Sequence, residues 1–289
     1  MNPVVLTLLA VGSCAVVAIT PWSVAAGEPL LDAGGGPVEH PSVAPGEARE
    51  DGAVDVEDGR LPVHAAVGRF TGTMVCTAAI VLHPRIIITA AHCIASRDAL
   101  ASRTKPIFQP AKRAGRDLDR FEATVWAVGS EQRFTAQSVR GASNDWAILV
   151  LDRVPVGMRP LRLRSDSAEE LKRLERQILM PGYMMDPAGS LSLRLDPACS
   201  VRDLMWNVLL HDCQASAGTS GAPLLMWDGQ WYALVGIHTG SIFASDEDGR
   251  IGESIGNSAI GAWSFAQALT ALSRRLQDDA ADDVAYHGH

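Results

Sequence analysis

The segment Thr89-Ala90-Ala91-His92-Cys93 follows directly on an apolar run, Ile86-Ile87-Ile88. A short β-branched run of this kind predicts a buried β-strand, so His92 lies where a strand ends and a loop begins. Imidazole is the side chain whose ordinary pKa lies closest to neutral pH. The adjacent Cys93 can attach this loop covalently to another part of the chain, such as Cys76. The segment therefore predicts a histidine held at the end of a strand.

Two further segments carry residue types that act together with a histidine. In Asn144-Asp145-Trp146-Ala147-Ile148-Leu149 an acid stands at the start of a strongly apolar strand, and in Gly218-Thr219-Ser220-Gly221-Ala222-Pro223 a serine stands in a glycine-bracketed turn. A serine hydroxyl is a poor nucleophile at neutral pH unless a neutral imidazole accepts its proton. A buried carboxylate can in turn orient that imidazole. The three segments together indicate nucleophilic catalysis by a serine.

In this order the segments resemble the motifs of the chymotrypsin-like (trypsin-fold) serine proteases. Residues 89–93 match the family's Thr-Ala-Ala-His-Cys motif completely, residues 145–149 match Asp-x-Ala-hydrophobic-Leu, and residues 218–223 match Gly-x-Ser-Gly-x-Pro. The order His, Asp, Ser distinguishes this family from subtilisins and α/β-hydrolases. The resemblance extends over residues 62–277.

The resemblance implies a role for each matching residue. His92 would act as general base and acid, Asp145 would hold its ring, and Ser220 would be the nucleophile. The backbone N–H groups of Gly218 and Ser220 would form the oxyanion hole. Asp152 is the nearest alternative acid, but it does not lie in the matching motif. His211 and Asp212 are adjacent but lie in no matching motif, so both are interpreted as surface residues.

Specificity is suggested by departures from the trypsin pattern. Thr219 replaces the Asp that precedes the nucleophile in most trypsin-like zymogens, and this resembles the bacterial glutamyl-endopeptidase-like branch. His238 matches that branch's Gly-Ile-His strand, in which the histidine contacts an acidic P1 side chain. The pocket positions six and five residues before the serine are Gln214 and Ala215. Because a histidine can hydrogen-bond or pair with a substrate carboxylate, the match of His238 predicts preference for Glu or Asp at P1. Gln214 in place of the Asp of trypsin argues against cleavage after Arg or Lys.

Many short apolar runs separated by turns predict an all-β protein. By resemblance, residues 61–277 form the protease domain, with two antiparallel six-stranded β-barrels and a C-terminal helix. Helical periodicity occurs in residues 167–178 and 265–276. The basic segment 97–120 is interpreted as a surface loop, and residues 278–289 as an acidic disordered tail.

The N-terminal region is interpreted as two targeting or processing segments. Residues 1–26 resemble a secretory signal peptide, since residues 4–19 are almost continuously apolar and Val24-Ala25-Ala26 offers a small-residue cleavage site. No Lys or Arg precedes the apolar run, so an uncleaved anchor is an alternative, as is lipidation at Cys14. Residues 27–60 form an acidic linker or a zymogen propeptide.

The 289-residue chain has a formal net charge of -8, which argues against recruitment to nucleic acid by bulk electrostatics. Residues 28–58 carry the whole of this charge, because their acids outnumber the single Arg49 by eight. These acids are Glu28, Asp32, Glu39, Glu47, Glu50, Asp51, Asp55, Glu57 and Asp58. The remainder of the chain is therefore close to neutral.

Four cysteines remain once Cys14 leaves with the signal: Cys76, Cys93, Cys199 and Cys213. Three disulfide pairings are possible, of which the nearest-neighbour one joins Cys76 to Cys93 and Cys199 to Cys213. A zinc site is the competing interpretation, but the spacings differ from Cys-x2-Cys and export favours oxidation. We therefore expect no metal and no cofactor.

The sequence thus predicts a secreted or periplasmic serine endopeptidase that acts on protein or peptide substrates. We expect a monomer that binds no nucleic acid and has no stable membrane association after signal cleavage. The alternative function is a catalytically inactive, protease-like binding protein.

Overall fold

The computed structural model describes residues 7–11, 14–19, 54–55, 65–94, 105–111, 119–129, 143–174, 177–245 and 251–287. The first nine strands in this part of the chain are β1 (Thr7–Val11), β2 (Cys14–Ile19), β3 (Val54–Asp55), β4 (Val67–Thr71), β5 (Val75–Ile80), β6 (Ile86–Thr89), β7 (Ile107–Pro110), β8 (Phe121–Val128) and β9 (Ala147–Leu151). The later strands are β10 (Arg162–Leu163), β11 (Ile178–Met185), β12 (Leu191–Cys199), β13 (Val201–Met205), β14 (Val208–His211), β15 (Pro223–Trp227), β16 (Tyr232–Ser245) and β17 (Ile251–Gly261). The α-helices are α1 (Ala168–Lys172) and α2 (Ala266–His287).

Strands β4 to β9 form a closed antiparallel barrel in the order β4-β5-β6-β9-β8-β7. Its strands β6 and β9 are buried on both faces. Ile87 and Leu149 belong to the interior of the barrel, whereas Ile88 and Ile148 belong to a core shared with the second sheet. Since successive side chains of a strand point to opposite faces, this arrangement explains why both segments are apolar without alternation.

The second sheet follows the antiparallel path β13-β14-β17-β16-β15-β11-β12. Strand β12 runs into β13 through Ser200 alone, so the chain itself joins the two ends of the path. Counted with β12 and β13 as one bent strand, the path has six strands, and the predicted two-barrel chymotrypsin-like architecture is confirmed. Strands β2 and β10 pair in parallel with β16, and β3 pairs with β12.

The helices differ in extent from the sequence prediction. Helix α1 begins at a capping box between Ser167 and Glu170 but ends at Lys172, because Ile178 already starts the buried strand β11. Helix α2 packs Phe265, at its start, and Leu269 into the shared core. It continues to His287 and so includes most of the segment 278–289 predicted as a disordered tail. Alanine has the highest helix propensity and extension of an existing helix is favourable, which explains the continuation into this Ala-containing segment.

One strand lies inside the segment predicted as a surface loop. Ile107–Pro110 forms β7, which closes the first barrel between β4 and β8. Phe108 in this strand is fully buried. The prediction of a solvated loop over residues 97–120 is therefore wrong for this part, because charges on both sides concealed a four-residue strand. Residues 97–104 and 112–118 lie outside the described residues.

The N-terminal interpretations remain predictions. The structure describes only the backbone of β1 and β2 within the predicted signal peptide 1–26, and only β3 within the predicted linker or propeptide 27–60. Among the described helices, none combines the length and the apolar character needed to cross a membrane.

Candidate active site

His92 and Asp145 meet because they lie at the same end of two paired strands. His92 is in a 3-10 turn, Ala91–Cys93, directly after β6, and Asp145 directly precedes β9. The register pairs Thr89 with Ala147. The His92 ring Nδ1 lies 2.7 Å from Asp145 Oδ2, and the His92 backbone N–H donates to Asp145 Oδ1 at 3.0 Å. The carboxylate thus holds both the ring and the backbone of His92.

The surroundings of Asp145 define the protonation of His92. The Asp145 side chain is 1% exposed and the His92 side chain 12% exposed. Burial lowers the pKa of His92, but the charge and hydrogen bond of Asp145 outweigh it, so the pKa is raised above 6.5. An ionised carboxylate only accepts hydrogen bonds, so Nδ1 carries the proton and Nε2 is the basic atom of the neutral ring. Asp152, in contrast, pairs with Arg153 at the surface.

The loop around Ser220 requires glycine at two positions. Gly218 has φ of +99° and Gly221 of +81°, in the left-handed region that favours glycine. A Cβ on Gly221 would lie 2.2 Å from Thr89 Oγ1, and one on Gly218 would lie 2.8 Å from Tyr183 O. The glycine bracket therefore lets this loop of the second barrel lie directly against the end of β6 in the first.

A buried threonine of the first barrel connects the two barrels at this loop. The backbone N–H of Thr77 donates to Ser220 O at 2.8 Å, and its Oγ1 donates to Gly218 O at 2.9 Å. The same Oγ1 accepts from the Tyr183 N–H at 2.9 Å, and Thr77 O accepts from Thr89 Oγ1 at 2.7 Å. Thr77 thereby holds the carbonyl groups on either side of Thr219.

The N–H groups of Gly218 and Ser220 remain available for a ligand. In the described part of the chain, neither of them donates to a protein acceptor. The Gly218 N–H shares its peptide plane with Ala217 O, which accepts from the Met185 N–H at 2.9 Å. The Ser220 N–H shares its plane with Thr219 O, which accepts from the Ala222 N–H at 2.8 Å, so both planes are fixed. Two fixed N–H donors beside a serine are the arrangement that stabilises a developing oxyanion.

The disulfide between Cys76 and Cys93 lies at the same place. It joins β5 to the turn that carries His92, and Cys93 Sγ lies 3.9 Å from Ser220 O. The His92 ring and both sulfur atoms lie within 4.8 Å of one another. Because disulfide sulfurs carry no thiolate, this group does not form a thiolate metal site. The second disulfide joins Cys199 to Cys213, so both bonds of the nearest-neighbour pairing are present.

The three residues predicted to bind substrate do not lie in one place. Gln214 and Ala215 line a cleft of about 440 Å³ beside Ala217, together with the buried Arg194. His238, in contrast, does not belong to the described lining of this cleft and is buried under the serine loop. Its carbonyl accepts from the Gly221 N–H and its own N–H donates to Ala222 O, each at 2.8 Å.

His211 is a functional candidate that sequence reasoning missed. Read from the sequence as a surface residue, it is 1% exposed in the structure, so that interpretation was wrong. Its Nε2 lies 3.1 Å from His238 Nδ1, with the two rings edge to face. The alternation of β14, in which Leu209 and His211 share a face, is the sequence signal that indicates its burial.

The sequence of this chain matches the family model of the trypsin-like peptidase domain over residues 76–237, more than half of the chain. The chain belongs to the trypsin-like peptidase family. It is thus a trypsin-like serine endopeptidase, the class that the order His, Asp, Ser predicted. No protein of curated function matches it significantly.

Solved structures with a similar fold match about three quarters of this chain. A Glu endopeptidase in complex with MPD has 22% identity and a TM-score of 0.51, covering 76% of this chain and 96% of its own. Neuropsin, a serine protease expressed in the limbic system of mouse brain, has 13% identity and a TM-score of 0.52, covering 74% and 97%. HBP has 14% identity and a TM-score of 0.50, covering 76% and 95%. At these identities the comparisons establish the fold.

The Thr77 hydroxyl is expected to position the serine loop. Thr77→Val keeps the shape of the side chain but removes the hydroxyl that donates to Gly218 O and accepts from the Tyr183 N–H. An unpartnered buried polar group costs about 1 to 3 kcal/mol, and we expect this loss in the free energy of unfolding measured with urea. We further expect kcat to fall about 10-fold or more, because the Gly218 carbonyl loses its donor and this bond no longer holds the Ser220 loop against the first barrel.

Thr77→Ser is the matched control, because it keeps the hydroxyl and loses only a methyl group. We expect it to retain most of kcat. Equal kcat values for the Val and Ser variants would show that the hydroxyl does not position the loop.

Proposed function

We propose that this peptidase hydrolyses peptide bonds of exported or extracellular substrates with Ser220 as nucleophile and without a cofactor. His92 acts as general base and acid, and Asp145 orients it. The observation that carries the proposal is the 2.7 Å contact between His92 Nδ1 and the buried Asp145 carboxylate. It is supported by the contact of the His92 turn with the Ser220 loop at the Cys76–Cys93 disulfide.

The chemistry follows from these groups. Ser220 Oγ attacks the scissile carbonyl carbon while His92 Nε2 takes its proton, and the negative charge develops on the carbonyl oxygen. The N–H groups of Gly218 and Ser220 bind that oxygen. The imidazolium then gives its proton to the leaving amine, and an acyl-enzyme ester remains on Ser220. A water molecule then attacks the ester carbonyl carbon while His92 takes its proton. His92 returns the proton to Ser220 Oγ, and the carboxylic acid is released.

Covalent labelling tests the nucleophile directly. We expect a fluorophosphonate probe to label the purified protein once, at Ser220, with loss of peptidase activity. Ser220→Ala should abolish the labelling and leave only the residual activity of the oxyanion hole and binding, a loss of about 10⁶-fold in kcat. Mass spectrometry of the labelled peptide identifies the site.

Ser165→Ala is the control, since Ser165 is exposed and lies outside the loop. It should label and hydrolyse like the parent. A folded protein that neither reacts with the probe nor cleaves peptides would instead support the alternative, a protease-like binding protein.

The raised pKa of His92 predicts the pH profile. Protonated imidazole cannot accept the serine proton, so kcat/KM should fall as the pH drops through the His92 pKa. Because Asp145 raises that pKa, the midpoint of the acidic limb should lie above 6.5. Asp145→Asn should lower the midpoint and reduce kcat by about 10⁴-fold, measured with a substrate whose P1 residue does not ionise.

Asp152→Asn serves as the control for this profile, because Asp152 is a surface partner of Arg153. Its profile should match that of the parent. The role of Asp145 is excluded if its Asn variant keeps both the midpoint and the rate.

We propose a preference for Glu or Asp at P1. His238 is hydrogen-bonded through its backbone to Gly221 and Ala222, on the C-terminal side of Ser220. Burial is the largest cause of its lowered pKa, to which His211 and His92 also contribute. Gln214, in the cleft, offers no negative charge to a basic P1 side chain. One of the similar structures is described as a Glu endopeptidase.

A peptide library with varied P1 residues measures this preference. We expect kcat/KM for Glu or Asp to exceed that for Leu, Ala or Lys by about 10-fold or more, because buried donors discriminate strongly against residues that cannot accept. His238→Leu should remove most of the difference. A library profile that favours Lys or Arg would contradict the proposed role of His238.

Export is supported by the predicted signal peptide and by the two disulfides, which form and persist in oxidising compartments. The proposal includes residues 1–26 as a cleaved signal, 27–60 as an acidic linker or propeptide, and a monomeric peptidase.

A further inference from the structure

His211 and His238 form a buried pair beneath the serine loop. His211 ends β14 and His238 lies on β16, with β17 between them in the sheet. Their rings meet edge to face, with 3.1 Å between His211 Nε2 and His238 Nδ1. At least one of these two nitrogen atoms must carry a proton for the contact to be a hydrogen bond.

The backbone N–H of Cys213 determines which of the two facing nitrogen atoms carries the proton. The N–H of Cys213 donates to His211 Nδ1 at 3.2 Å. A backbone N–H cannot accept a hydrogen bond, so His211 Nδ1 offers its lone pair and the proton of the neutral ring is on Nε2. His211 Nε2–H therefore donates to His238 Nδ1. That leaves the proton of the neutral His238 ring on Nε2.

Both rings are neutral near pH 7. Burial lowers the pKa of His211 to about 4, against the opposing effects of the Ser258 backbone and of Asp212. Burial is also the largest cause that holds the pKa of His238 well below 6.5, and the nearby His211 and His92 lower it further. Asp212 itself is paired with Arg202. The tautomers assigned from the hydrogen bonds therefore describe the rings at neutral pH.

We infer that His211 is a positioning residue that makes His238 a fixed, uncharged Nε2–H donor for an acceptor on the substrate. This inference rests on the proposed P1 preference and deepens it. A neutral N–H donor binds a carboxylate or an amide oxygen and rejects the ammonium and guanidinium groups, which are themselves donors. The substrate class is thus Glu or Asp first and Gln or Asn second, with no requirement for an ion pair.

The tautomer can be measured without a substrate. In long-range ¹H–¹⁵N spectra of the full-length protein at pH 7, His238 should show a protonated Nε2 and an unprotonated Nδ1, and His211 should show the same. The resonances are assigned by their loss in His238→Gln and His211→Gln. A His238 ring protonated on Nδ1, or on both nitrogens, overturns the inference whatever the protease cleaves.

Substitution of His211 tests the effect on specificity. In His211→Leu, His238 loses the donor that fixes its tautomer, and we expect kcat/KM for a Glu P1 substrate to fall by about 10- to 100-fold relative to an Ala P1 substrate. Fluorophosphonate labelling of Ser220 should continue, because His211 does not contact the reacting atoms. A merely structural role would lower both substrates and the labelling together, and that result overturns the inference.

A third measurement keeps the inference testable if the Leu variant does not fold. The parent protein should cleave after Gln within about 10-fold of its rate after Glu, because the donor carries no charge. A Glu preference of 1,000-fold or more over Gln would require a charged partner and overturns the inference. Loss of all labelling and cleavage in the parent itself would instead show that the proposed function has failed.

Discussion

The geometry of the site depends on the hydrogen bonds of Thr77. His92 and Asp145 come from one barrel and Ser220 from the other, so a small displacement of one barrel changes the distance of Ser220 from both of the other residues. Thr77 holds Ser220 O with its backbone and Gly218 O with its hydroxyl, and it is itself held by Tyr183 and Thr89. In a fully buried location each of these bonds must form, because an unpartnered polar group there has no water to replace the lost bond.

Two other interactions support this junction, and each does something that Thr77 cannot. The core shared by the barrels, including Ile88, Ile148, Leu234 and Phe265, supplies non-directional stabilisation that keeps the barrels together. The Cys76–Cys93 disulfide joins the strand of Thr77 to the turn of His92. The apolar core holds the barrels together. The disulfide restricts the turn that carries His92, and the hydrogen bonds of Thr77 orient the loop that carries Ser220.

The family and the two-barrel fold were predicted correctly because short local patterns encode them. The His92, Asp145 and Ser220 segments each carry a short motif, and the His-Asp-Ser order indicated the family. His211 and Thr77 were missed because their roles arise only from partners distant in the chain, 27 residues away for the histidine pair and 141 for Thr77 and Gly218. The end of α1 at Lys172 likewise depends on the pairing of β11 with other strands, which no local propensity reports.

Charge illustrates why local geometry decides substrate recognition in this protein. The net charge of -8 resides in residues 28–58, whereas residues 61–277 hold 23 basic and 20 acidic side chains, so the formal charge of +3 gives only a weak bulk attraction for an acidic substrate. The proposed recognition of a carboxylate would then depend on individual donors. A charged imidazole at the position of His238 would be costly to bury, and the low pKa values of both histidines reflect that cost. A neutral pair avoids this cost. The Cys213 N–H binds His211 Nδ1, so the proton of His211 is on Nε2. The inferred result is a neutral His238 ring with its own proton on Nε2.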